Sequence, residues 1–196
     1  MDFSKRQIEI IKAATDLIGE KGLQNLTTKN LAAKIGFSEP ALYRHFKNKT
    51  DIIQSVLMFY KEQMKTGIEK LLVNNESGAE KIKGLMQFQF KHFAKNPAVV
   101  MVIFSETSFQ YEETLSKVVL TILTQKKTLL ENIIQLGQKD QSIREDVNAS
   151  QLADIIMGSM RFTILRWRLN DFKFNLIKEG DELWNAINII LKCPKE

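Results

Sequence analysis

The chain has 196 residues, 44% hydrophobic and 26% charged, with a formal net charge of +5, ordinary usage for a globular protein of one or two domains. No apolar run nears the ~20 residues needed to cross a bilayer, and the N-terminus MDFSKRQIE lacks a secretory apolar stretch. One cysteine, Cys193, excludes an internal disulfide framework and suits a reducing cytoplasm.

Only three prolines, Pro40, Pro97 and Pro194, leave long stretches free for helix. Ser4 and Gln7 form a capping box for a first helix, whose stripe is Ile8, Ile11, Ala14, Leu17 and Ile18 and whose stop is Gly22. Leu23 and Leu26 can plug a small core. Thr27 caps a second helix that buries Leu31, Ala32 and Ile35. Gly36 supplies the left-handed residue that ends it, and Phe37 closes the corner. Ser38 is a cap for a third helix, with Pro40 in its first turn, where a missing N–H costs nothing. Leu42 and Phe46, four apart, give this helix its buried face. Asn48 is expected to end it in the left-handed region, and Lys49 opens the next element. Two short helices around a glycine-containing turn have the geometry of DNA-reading helix-turn-helix units.

A long helix is expected from Asp51 to about Val73, running out of this head, followed by a break at Asn74 to Gly78. The next helix covers about Ala79 to Lys95. The apolar segment from Ala98 to about Phe109 is read as helix, since a lone strand would have no partner. Glu112 to Leu136 is the longest amphipathic helix, with Gly137 as its stop. Ser150 to Leu169 and Asp181 to Leu191 follow, both apolar over a wider arc than one core-facing stripe needs. The expected architecture is all-α with about nine helices: a helix-turn-helix DNA-binding domain over 1–50, and a helical effector-binding and dimerisation domain over 51–196.

Charge agrees with that division. Residues 1–50 hold nine Lys and Arg against five Asp and Glu, whereas residues 51–196 hold nineteen against eighteen. Excess cation therefore sits where phosphates would be neutralised.

The run TTKNLAAKIGFSEPALYRHFKNK, and above all G-F-S-x-P-A-L-Y-x-H-F-K-N-K from Gly36 to Lys49, resembles the DNA-binding signature of the TetR/AcrR family of bacterial transcriptional regulators. The resemblance covers about the first fifty residues. It implies that Ser38, Glu39, Pro40 and Ala41 lie at the end of a recognition helix that reaches base edges. Glu39 can accept from a cytosine amino group, and Pro40 and Ala41 can touch a thymine methyl. It further implies phosphate contacts from Tyr43, His45 and Lys49. Thr27 or Thr28 can add one at a helix N-terminus, with Lys29, Arg44 and Lys47 as further backbone contacts; Arg44 could instead read a guanine. Tyr43 as a packing aromatic and His45 as a solvent-facing residue are the competing readings.

The wide apolar arcs near the C-terminus suggest a two-fold interface involving Ile155, Gly158, Ser159, Trp184, Ile187 and Leu191, as the last two helices form in that family; thicker packing within one chain is the alternative. A dimer reads two half-sites of a pseudo-palindromic DNA operator. The middle helices are rich in soft and aromatic side chains, and bundle pockets are apolar with a few polar groups. Candidate lining residues are Met64, Phe88, Phe104, Phe109, Thr121, Gln125, Met157 and Arg161, most of which serve equally as ordinary core. The resemblance implies a small, mostly apolar effector that releases a repressor from DNA by tilting the helix after Lys49. The competing function is a structural or division-linked DNA-binding adaptor without an effector.

An enzyme is not expected: there is no glycine-rich phosphate loop, nucleophile elbow or metal-spaced set, and His45 and His92 are the only histidines. Glu106, Glu112 and Glu113 read as a helix-end cluster and Cys193 as a bystander thiol. No cofactor, metal or membrane partner is expected.

Overall fold

The computed structural model describes residues 3–73, 75–105, 108–109 and 112–192. Glu106 and Cys193 lie outside these. The described residues form nine α-helices and no strand: α1 Lys5–Lys21, α2 Thr28–Ile35, α3 Glu39–Leu42, α4 Lys49–Leu72, α5 Gly78–Lys95, α6 Pro97–Ile103, α7 Glu113–Lys139, α8 Ala149–Leu169 and α9 Leu176–Leu191. The chain divides into two compact units, residues 1–63 with 96–121, and residues 64–95 with 122–196.

In the first unit α1 starts on the Ser4–Gln7 capping box and stops at Gly22, φ 80°. It buries Ile10, Ile11, Ala14, Leu17 and Ile18. α6 packs against α1 so closely that a Cβ on Gly19 would stand 2.6 Å from the Ala98 Cβ. The small three-helix head thus gains apolar cover from a later segment, as its limited core requires. Burial is the main cause of the raised pKa of Tyr60 on α4, with Thr15 of α1 acting in the opposite sense. α6 is helix rather than strand, but it ends at Ile103, short of Phe109. There the Ser105 hydroxyl donates to the Met101 carbonyl and the Ser108 amide to Ser105, local bonds that compete with continued helix.

The second unit corrects one expected stop. Gly137 lies inside α7, because a Cβ there would meet Ile143 Cδ1 at 2.5 Å, and one on Gly78 would reach the Gly137 Cα at 2.3 Å. Glycine is needed for close approach, and α7 runs on to Lys139. Beyond it the turn uses Gln141 at φ 65°. α9 begins five residues before Asp181, since the Asn175 side chain accepts from the Ile177 and Lys178 amides.

Asp140 holds the N-terminus of α5, its carboxylate accepting from the Gly78 amide at 2.8 Å and from the Ser142 amide at 2.9 Å. Desolvation pushes the Asp140 pKa up. Hydrogen bonds from the Ser142 side chain and the Gly78 and Ser142 amides, with Lys81 nearby, outweigh this and hold it below the usual carboxylate value. A folded pKa below the unfolded one stabilises at neutral pH and loses that contribution as pH falls through the folded value. Asp140→Ala is expected to cost about 1 kcal/mol at pH 7, the worth of a helix cap. In urea unfolding the difference from wild type should shrink in acid, below the ordinary carboxylate range.

Candidate functional site

The turn from Thr27 to Lys49 is assembled by short-range bonds. The Thr27 hydroxyl accepts from the Asn30 amide at 3.1 Å and caps α2. Gly36 sits at φ 69°, ψ 30°, the left-handed region. An added Cβ would meet nothing within 4 Å, so the backbone conformation alone selects glycine there. The Phe37 amide returns to the Ala32 carbonyl at 2.9 Å, and the Arg6 guanidinium lies 4.1 Å over the Phe37 ring.

α3 is shorter than its apolar spacing suggests. It carries Pro40 in its first turn and ends at Leu42; past it the Arg44 and His45 amides bond three residues back, to Ala41 and Leu42, a tightened last turn. Leu42 and Phe46 are both buried, and Gln7 of α1 donates to the His45 carbonyl at 3.3 Å. Ser38 has the extended backbone of a cap but makes no side-chain cap bond. Asn48 is not left-handed. Its side chain accepts from the Asp51 amide at 2.8 Å while Asp51 accepts from the Lys47 amide at 2.8 Å. This reciprocal bracket starts α4 rather than ending α3.

The Thr28 hydroxyl donates to the Glu39 carboxylate at 2.5 Å, bringing the N-termini of α2 and α3 together. Around that junction Thr27, Lys29, Ser38, Pro40, Tyr43, Arg44 and Lys47 are exposed, and Thr28, Glu39, Ala41, His45 and Lys49 half-buried. Tyr43 is 50% exposed and so is no core aromatic. Lys34 is spent on Glu20 at 2.8 Å. By contrast, Lys29, Arg44, Lys47 and Lys49 have no ion pair among the described residues.

The second unit encloses a cavity of about 40 Å³ between α4, α5, α7 and α8. Met64, Met86, Met157 and Met160 are among its apolar walls, and its two polar side chains are Gln89 and Lys126. The Lys126 amine donates to the Gln89 side-chain carbonyl at 2.5 Å. Desolvation, with the Arg161 charge adding to it, lowers the Lys126 pKa to about 8. Of the expected lining residues, Met64 and Met157 reach this cavity. Phe88 instead packs on Gly67, where a Cβ would stand 2.1 Å from its ring. Thr121, Gln125 and Arg161 are exposed. Phe104 and Phe109 are buried in the first unit. Lys126 and Gln89 escaped sequence reasoning, although a signal existed. Lys126 stands four residues from both Ile122 and Leu130, and Gln89 three from Met86, each a polar residue inside an apolar stripe.

Of the six residues expected at a two-fold interface, Ile155 and Gly158 are exposed and Ser159 half-buried, its hydroxyl donating to the Ile155 carbonyl. Trp184, Ile187 and Leu191 are buried within the chain. The outward apolar residues of α8 and α9 are Ile155, Phe162, Leu169, Ile177, Ile189 and Ile190. Among the described residues no helix is long and apolar enough to cross a membrane, and no group of three or more His, Cys, Asp and Glu is placed to hold a metal.

Comparison with known proteins places these features. The family described as bacterial regulatory proteins, tetR family, matches residues 10–56, and the YsiA-like protein C-terminal region matches residues 60–190. The nucleoid occlusion factor SlmA of Vibrio campbellii is 26% identical, covering 96% of this chain and 97% of its own. Among solved structures, the fatty acid degradation regulator FadR from Bacillus halodurans aligns with a TM-score of 0.84 at 19% identity, over 96% of this chain and 97% of that one. FadR from Bacillus subtilis in complex with stearoyl-CoA gives 0.80 at 23% identity, over 92% and 96%. At these identities the solved structures establish the fold.

The turn's geometry rests on Phe46, which closes the core beneath α3. Phe46→Ala is expected to destabilise by about 3–5 kcal/mol, measured by guanidinium unfolding followed by circular dichroism.

Proposed function

Given that the chain belongs to the TetR family of bacterial regulatory proteins and is a DNA-binding regulator, we propose that it is a repressor that binds a pseudo-palindromic operator as a dimer and is released by a small, mostly apolar effector. The observation that carries the DNA half is the set of four cations without ion-pair partners among the described residues, Lys29, Arg44, Lys47 and Lys49, on α2, the turn after α3 and the start of α4. Cations left unpaired by the protein are available to phosphate. Residues 1–50 read DNA in this proposal, and 51–196 bind effector and dimerise. Acting on DNA, it works in the cytoplasm.

Within the head, Ser38, Glu39, Pro40 and Ala41 face base edges, and Thr27, Thr28, Lys29, Tyr43, Arg44, His45, Lys47 and Lys49 hold phosphates. Phosphate contacts set register and base contacts set specificity. Glu39 is the strongest candidate reader, because the Thr28 hydroxyl holds one of its carboxylate oxygens and leaves the other for a cytosine amino group. Dimerisation uses the outward residues Ile155, Gly158 and Phe162 of α8 with Ile189 and Ile190 of α9. An exposed apolar face of this kind marks an interaction surface.

The effector occupies the cavity walled in part by Met64. That residue lies on α4, whose first half buries Ile52, Ile53, Val56 and Leu57. Filling the cavity displaces the end of α4 and, through it, the spacing of two recognition helices. The effector acts only through its different affinity for the two states; a coupling of about 1–3 kcal/mol weakens operator binding roughly 5–150-fold. Support for an apolar effector comes from the B. subtilis FadR structure, which holds stearoyl-CoA.

The similarity to SlmA along almost the whole chain favours a second reading, a DNA-binding nucleoid occlusion factor with no effector. Footprinting on the DNA flanking its gene separates the two. A regulator protects a defined palindrome and releases it when hydrophobic metabolites are added; protection at many sites, unaffected by any of them, establishes the second reading.

Two substitutions test the assigned contacts. Lys47→Ala should weaken binding to all sequences and lower the slope of log affinity against log salt by about 1. Glu39→Gln should change preference at one base pair by about 1–3 kcal/mol, measured by competition with single-base operator variants.

A further inference from the structure

A cation half-withdrawn from water among apolar side chains, as Lys126 is, normally has a carboxylate partner or loses part of its charge. Lys126 has neither remedy in full. Among the described residues its one hydrogen-bond partner is the neutral side-chain carbonyl of Gln89, itself buried. Arg161, a charge of the same sign, acts on it to lower its pKa further. Its neighbour Lys127, by contrast, is paired with Asp154 at 2.7 Å. The walls that α4 and α5 contribute carry no titratable group. The cavity is therefore an apolar chamber with one positive pole and no negative one.

We infer that Lys126 is an anion anchor, and that the cavity takes a single-chain amphiphile bearing a carboxylate, its head on Lys126 and its tail among Met64, Met86, Met157 and Met160. This rests on the ligand-responsive reading for the effector's role, but not for the binding itself. Charge complementarity selects the carboxylate: it offers the ammonium the partner the fold withholds, and the bond forms in a poorly solvated place where such bonds are strong. The apolar walls select the chain. At about 40 Å³ the cavity is far below the ~300–1,000 Å³ of occupied ligand sites, so it must open on binding. Four methionines, each with three rotatable bonds, are suited to that change. A chamber that opens on filling is also what a two-state regulator requires.

The free amine, with its pKa near 8, is charged and ready at pH 6.5 and mostly neutral at pH 9.5. A bound carboxylate raises that pKa, so affinity is full below about 8 and falls as pH rises through it.

The test is calorimetric titration of the full chain with decanoate, 1-decanol and decanoyl-CoA. At pH 6.5 decanoate should bind at least tenfold tighter than decanol, and about 30-fold weaker at pH 9.5. Lys126→Met, which keeps the volume and removes the charge, should abolish the preference for decanoate over decanol; Lys126→Arg should retain it. Equal binding of decanoate and decanol to wild type, a preference surviving in Lys126→Met, or binding of neither would overturn the assignment. So would decanoyl-CoA binding wild type and Lys126→Met alike while decanoate binds neither, since the thioester would then be held by another group. If Lys126→Met does not fold, the pH dependence and the arginine variant still decide. Decanoate bound on Lys126 with operator affinity unchanged would uphold the anchor and defeat the ligand-responsive reading. Operator release by another compound, with no decanoate bound, would do the reverse.

Discussion

The unbroken backbone hydrogen bonding of α4 is the constraint on which the other features turn. Twenty-four residues, Lys49–Leu72, form one helix with no proline in it, so the element rises about 36 Å as a single piece. Its first turn is clamped by the Asn48–Asp51–Lys47 bracket at the end of the DNA-reading turn. Its middle buries Ile52, Ile53, Val56 and Leu57, and a later turn contributes Met64 to the cavity wall. Within the helix each turn is tied to the next by backbone hydrogen bonds.

Electrostatics separates two jobs. Several cations of the helical body are paired: Lys127 with Asp154, Arg166 with Glu179, Arg144 with Asp146. Such surface pairs add little stability, but they neutralise. The recognition turn keeps Lys29, Arg44, Lys47 and Lys49 unpaired among the described residues, which leaves a local field that attracts polyanion and is screened by salt. Lys126 of the body also lacks a carboxylate partner among the described residues and is set among apolar side chains, so it holds a cost that a bound anion would relieve.

Much of the head was legible in sequence because its signals are local. The Ser4–Gln7 box, the Thr27 cap and left-handed Gly36 each depend on residues within one turn, and each formed as its chemistry requires. Where reading failed, a nonlocal partner had intervened. Gly137 looked like a stop but is a contact point for Gly78 and Ile143. Asn48 looked like a C-terminal residue but serves the helix that follows. Trp184, Ile187 and Leu191 looked outward because an apolar arc does not say which of its two edges faces the chain's own core, and they are buried. Six of the eight expected cavity residues lie elsewhere, and for two of them the reason is the same: Thr121 and Gln125 sit on an exposed flank of α7, a choice of rotation that periodicity brackets only to within a residue or two.

The sequence by itself determined the all-helical class, the caps and turn of the helix-turn-helix, and the family its Gly36–Lys49 run resembles. These follow from steric and hydrogen-bonding preferences acting over three or four residues. Only the tertiary structure decided that Thr28 holds Glu39, that Lys34 is spent on Glu20 while Lys47 has no ion pair among the described residues, and that Lys126 ends an apolar chamber whose described lining carries no counter-charge. Pairing and burial depend on which helices approach one another in space, and no periodicity along the chain encodes that distance.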